Sequence, residues 1–246
     1  MSELRPDRIT DVEPTDPRWK GLYRLAGIAA IIVNLVIVLG VITFFIWPYA
    51  PGNATPDVIL RQLQSSPLAG LISLDIFLFI GNLFSVFIFL ALYVSLRPVN
   101  DSYALAALAV GLIGLVLLIP ARPILEMFAL SEQYAAATTD ASRSQTLAAS
   151  EALLALFDGT GWFMNTLLGA LSLLTSSLLM LRSRTYSRAT AYAGIFTNAV
   201  VCGFFIPTLG TLLLFLSLPG YLIWYTLLAR RFFQMGRADP LEGGVR

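Results

Sequence analysis

Apolar residues run through this chain in long unbroken blocks rather than in short alternations with polar ones. Six blocks stand out, at residues 25–47, 68–96, 103–119, 161–181, 189–206 and 211–229. A helix needs about 20 apolar residues to cross a hydrocarbon layer of about 30 Å. Only structures that satisfy their own backbone hydrogen bonds survive there. The pattern therefore predicts an all-α fold, a polytopic membrane bundle of six transmembrane helices. The second block is interrupted by Asp75 and Asn82. The last two are short and separated only by Pro207-Thr208-Leu209-Gly210, which demands a tight helical hairpin. The first block is too long for the apolar part of a signal peptide and no small-x-small cleavage site follows it, so it reads as a retained anchor.

Residues 121–160 form the one extended connection. Loops of that length are uncommon unless structured or functional. Its apolar residues fall at helical spacing over 124–137 and again over 141–157, with Thr138-Thr139-Asp140 breaking and recapping the chain between them. The expectation is a loop of two short helices that packs on the outer rim, covers the polar residues there, or lies on the membrane surface. Few basic residues in it argue against strong attraction to anionic lipid. The domain reading is a polar tail at 1–20, a six-helix domain at 21–234 and a second tail at 235–246.

Lysine and arginine divide unevenly between the two sides this threading creates. One side collects Arg5, Arg8, Arg18, Lys20 and Arg24, then Arg97, then Arg182, Arg184 and Arg188, then Arg230, Arg231, Arg237 and Arg246. The other holds only Arg61, Arg122 and Arg143. Cytoplasmic loops carry the excess of basic residues, so both termini are expected in the cytoplasm, in the plasma (inner) membrane. Trp19 and Tyr23 are expected at the inner border of the first helix, and Trp47 and Tyr49 at its outer border.

Composition agrees with a membrane chain. Hydrophobic residues make up 57%, charged residues 13%, and mean hydropathy is +0.76. Soluble domains carry about 25% charged residues. The net charge of +1 shows no nucleic-acid footprint. There is no histidine, which removes histidine-ligated haem, the usual zinc sites and histidine acid–base chemistry. Cys202 stands alone, so neither an internal disulfide nor a cysteine metal cluster can form. No cofactor motif and no metal-ligand set is present.

Two segments look related. Asp75-x6-Asn82 opens the second block and Asp158-x6-Asn165 the fourth. Each block runs to an arginine (Arg97, Arg182), and the returning one ends at Ile-Pro (Ile119-Pro120, Ile206-Pro207). This suggests two parallel hairpin repeats, and a loose 2+2+2 plan if the sixth helix pairs with the first. Proline as a simple helix stop explains the same endings.

Residues seven apart share a helical face, so Asp75 and Asn82 should lie on one stripe, as should Asp158 and Asn165. An ionised aspartate facing lipid costs several kcal/mol, so Asp75 needs a partner, and Arg122 is the best candidate. Arg122 and Glu126 stand at i,i+4 and could pair if the turn stays helical across Pro123. With Tyr134 nearby in the long loop, Asp75, Asn82, Arg122, Glu126, Tyr134, Asp158 and Asn165 make up a candidate outer-side polar pocket, or else a structural clamp. Asn34 and Asn198, near mid-helix, read as packing hydrogen bonds. Gly111, Gly114, Gly169, Gly194 and Gly203 permit close helix contact.

Four stretches stand out: Arg122-Pro123 with the run Leu130-Ser131-Glu132-Gln133-Tyr134-Ala135-Ala136-Ala137; the run from Tyr186 to Ile195; Phe205-Ile206-Pro207-Thr208-Leu209-Gly210; and the closing Ala229-Arg230-Arg231-Phe232-Phe233-Gln234. Together they resemble a bacterial membrane family known as domain of unknown function 4386. The resemblance implies a six-helix bacterial membrane protein. It implies no activity and transfers no catalytic residue.

Three functions fit these readings. One is a protein that binds or moves a small molecule or ion through the outer polar cluster. Another is a structural or partner-binding membrane subunit without catalysis, pairing with a second membrane protein or with its own copies. A membrane-embedded enzyme acting on lipid is the third. It has only carboxylates and an arginine to work with, since no nucleophile–base pair, HExxH or phosphate loop is present.

Overall fold

The computed structural model describes residues 17–46 and 54–237. The distal parts of both tails and the border residues Trp47, Pro48 and Tyr49 lie outside the described residues. The described chain is helical throughout, with no strand in it.

Six helices build the bundle: α1 (Lys20–Ile46), α4 (Ile76–Leu96), α5 (Asp101–Leu118), α8 (Thr160–Arg182), α9 (Arg188–Cys202) and α10 (Gly210–Arg237). All but α9 are long and apolar enough to cross a membrane. The helix α9 has 15 residues and continues as a short 3-10 turn, Gly203–Phe205. Neighbours in the bundle follow chain order, α1 on α4, α4 on α5, α5 on α8, α8 on α9 and α9 on α10, and α10 closes the ring on α1. Helix α10 thus pairs with α1, as a three-pair plan requires.

The six run alternately between two ends. At one end, the Arg24 Nε donates to the Gly236 carbonyl at 3.1 Å, Tyr23 stacks on Phe232, and Arg97 lies over the Trp19 ring. Ser95 and Tyr186 hydroxyls bond at 2.7 Å, which brings the α8–α9 turn to the same end. This end is basic. Tyr23, expected at a border, is instead 4% exposed and part of the core. Its ring fills the space between α1 and α10, while Tyr103 and Tyr192 are the tyrosines left facing outward near this end.

The other end carries a cap. It contains the expected α6 (Ile124–Ala136) and α7 (Asp140–Leu154), the latter capped by the Thr139 hydroxyl accepting from the Ser142 amide. It also contains α2 (Pro56–Ser65) and α3 (Pro67–Ser73), which apolar blocks alone do not reveal. Proline opens both, at a position where the missing N–H costs nothing. A second apolar core holds the cap together, built on Ile59, Leu60, Leu63, Leu74, Ile124, Met127 and Phe157.

The block at 68–96 is therefore not one helix. Asp75 has φ 59° and ψ 40°, the left-handed region that L residues avoid, and it separates α3 from α4. Aspartate is among the few non-glycine residues that tolerate this conformation. The chain turns there, so α3 belongs to the cap and α4 to the bundle.

Candidate functional site

The polar residues at the cap end divide into a closed cluster and a scattered remainder. Arg122 follows the end of α5, and Pro123 (φ −76°, ψ 63°) delays the start of α6 to Ile124. Arg122 is thus held outside any helix and its side chain turns inward. Its Nε and one Nη donate to the same Asp75 carboxylate oxygen, at 3.2 and 3.0 Å. The other Nη donates to the carbonyls of Ala121 and Phe157, at 2.9 and 3.1 Å. The guanidinium also lies over the Phe157 ring at 4.7 Å and near the Trp162 ring at 5.2 Å. Four of its five N–H donors are engaged in this way. The side chain is 5% exposed, against 38% for Asp75.

Each contact reaches a different junction. Asp75 joins α3 to α4, Ala121 follows α5, Phe157 follows α7, and Trp162 sits in the first turn of α8. One arginine therefore ties the cap to three bundle helices. Leaving such a buried cation without its carboxylate is costly, which makes the unit all-or-none.

About two turns into α4, the two asparagines converge. The Asn82 Nδ2 donates to the Leu115 carbonyl at 2.8 Å, and the Asn165 Nδ2 donates to both the Gly114 carbonyl and the Asn82 Oδ1, at 3.0 and 3.2 Å. The pair bridges α4, α5 and α8. The amides of the other mid-helix asparagines are also engaged. Asn34 donates to the Leu222 carbonyl and the Thr226 hydroxyl of α10, and Asn198 donates to Gly194 within α9 and accepts from Tyr221.

The remaining expected members do not join. Glu126 is exposed in the first turn of α6 and forms no ion pair with Arg122, because Pro123 breaks the helical spacing between them. Asp158 is exposed, one residue beyond Phe157, and takes no part in the Arg122 cluster. Of the Asp-x6-Asn likeness, the two asparagines make comparable contacts with α5, whereas the two aspartates do not. Tyr134 lies partly buried on the cap, packed against its apolar core. The aromatic cradle of Phe157 and Trp162 escaped sequence reasoning. The available signal was the pair of aromatics, Phe157 and Trp162, bracketing the short segment 158–161 that opens α8.

Five helices long and apolar enough to cross a membrane, packed together in one bundle, mark a multi-pass membrane protein. The chain matches the family described as Domain of unknown function (DUF4386) over residues 20–230, and it belongs to that family. No curated protein and no solved structure matches it.

Proposed function

We propose that this protein is a six-pass, non-catalytic membrane subunit that presents a rigid helical cap on the outer side for recognition by a partner. The observation that carries this reading is the sealed Arg122. Its donors are engaged by protein oxygens and two rings cover it, so the cluster fits a clamp that fixes the cap better than a pocket that receives a ligand.

Six crossings are supported by the alternation of the helices and by the meeting of the start of α1 with the end of α10 at the basic end. Helix α9 reaches about 22 Å at about 1.5 Å per residue. Its 3-10 extension adds about 6 Å. Together they come close to the bilayer thickness. The basic residues at the α1, α10 and α8–α9 ends support placing that end in the cytoplasm. The four intramembrane asparagines donate to backbone and side-chain oxygens of the protein, which supports a packing role for them.

Purification from native membranes in mild detergent, with photo-cross-linkers at exposed cap positions such as Leu125, tests this function. A defined cross-linked partner supports it. Recovery of the protein alone, with no cross-link from any cap position, overturns it.

A further inference from the structure

The cap side retains few basic residues, and Arg122 is consumed by the clamp. The two left, Arg61 on α2 and Arg143 on α7, are 82 positions apart in sequence. Yet both line one open groove of about 500 Å³, with Gln64, Ser65, Tyr134 and Ala135. We propose that this groove binds a phosphate group, either free or carried by a lipid headgroup.

Three features support it. Among the described residues neither Arg61 nor Arg143 donates a hydrogen bond to the protein, and the ion pair either one makes is that of Arg61 with Asp57 at 3.6 Å, so most of both planar donor forks is open to a bidentate oxyanion. Two arginines lining one groove place two positive charges where a single anion gains from both. The walls are fixed in advance, because the Gln64 Nε2 donates to the Ser131 hydroxyl at 3.1 Å and so ties α2 to α6. Preorganised walls lower the cost of binding.

One acidic neighbour competes. Asp57 lies 3.6 Å from Arg61, one turn earlier on α2. That separation is too long for a hydrogen bond. The Asp57 carboxylate already accepts from the Thr55 hydroxyl, which holds its carboxyl below the usual range. Arg61 can therefore turn to an incoming oxyanion without leaving Asp57 unsolvated.

The proposal rests on the cap being the recognition element and names what it recognises. The test uses the full chain in nanodiscs, titrated with inorganic phosphate at constant ionic strength and followed by calorimetry and thermal unfolding. A second arm compares discs of phosphatidylcholine with discs containing phosphatidylglycerol. The expected result is saturable, phosphate-dependent stabilisation, with affinity about tenfold or more weaker in Arg61→Gln and in Arg143→Gln. Stabilisation by phosphatidylglycerol alone assigns the group to a lipid headgroup. Both variants should unfold like the parent without phosphate, since neither arginine supports the cap through a hydrogen bond. No response in either arm, or an unchanged response in the double variant, overturns the proposal. If cap cross-links to a partner persist in that case, only the phosphate site fails and the partner reading stands.

Discussion

Asn82 and Asn165 meet side chain to side chain at 3.2 Å, and each also donates to a backbone carbonyl of the helix that runs between them. One amide pair thus holds three helices in register. Such bonds fix register more selectively than apolar contact alone, because lipid tails and leucines are similar neighbours.

Replacing either asparagine by leucine should destabilise the bundle by about 1 kcal/mol. The double replacement should cost less than the sum, because the bond between the two side chains is lost only once. Unfolding in mixed micelles of the two single variants and the double variant measures this. Strict additivity would show that the amides act separately.

Arg122→Leu should release the cap while leaving the bundle helical. The variant loses four hydrogen bonds and leaves Asp75 unpaired, at a cost on the order of 2 kcal/mol given that Asp75 remains partly hydrated. Limited proteolysis should then cut near residues 137–139 and in the α2–α3 region, while circular dichroism changes little. Lysine at this position should restore only part of the protection, since it cannot bridge two carbonyls and a carboxylate as one planar group. Parent-like resistance of Arg122→Leu would rule out the clamp.

Helices α5 and α8 cross at small residues. A methyl group on Gly111 would lie 2.5 Å from the Phe89 ring and 2.7 Å from the Ser172 hydroxyl, whereas one on Gly169 would meet nothing within 4 Å. Gly111→Ala should therefore lower stability by about 1–3 kcal/mol. Gly169→Ala should be neutral or slightly stabilising, since alanine favours the helix. Thermal unfolding of the pair decides it, and equal losses would contradict this packing.

At the basic end, the Tyr186 hydroxyl bonds to Ser95 and its ring is 5% exposed. Burial pushes this phenol well above its usual range, so it stays protonated and able to donate. Tyr186→Phe should cost about 1 kcal/mol, because the Ser95 hydroxyl keeps its own bond to Leu92. Unfolding at neutral pH checks the size, and a loss several times larger would mean that the α8–α9 turn depends on this one bond.

The apolar blocks carried most of the bundle in plain view, because lipid leaves a helix few other forms. The pairing of Asp75 with Arg122 was also legible, from the cost of an unpaired intramembrane charge. The break at Asp75 was not, since a single left-handed residue leaves no trace in hydropathy. Helix α2 was hidden for a related reason. Its apolar positions, Ile59, Leu60 and Leu63, are too few to stand out beside blocks of twenty, although Thr55-Pro56-Asp57 is a helix-start signal. The Arg122–Glu126 expectation failed on one residue, Pro123, which moved the helix start past the arginine. Asp158 failed because equal spacing along a helix does not supply an equal partner.

The bond between Arg24 and the Gly236 carbonyl has a practical consequence for the ring of helices. Because α10 returns to the corner where α1 begins, the chain has no obligatory seam. Residues 20 and 237 could be bridged by a short flexible linker and new ends opened in the α8–α9 turn, giving a permuted chain with the same neighbours around the ring. The order in which the helices enter the membrane would change, and the finished bundle would not.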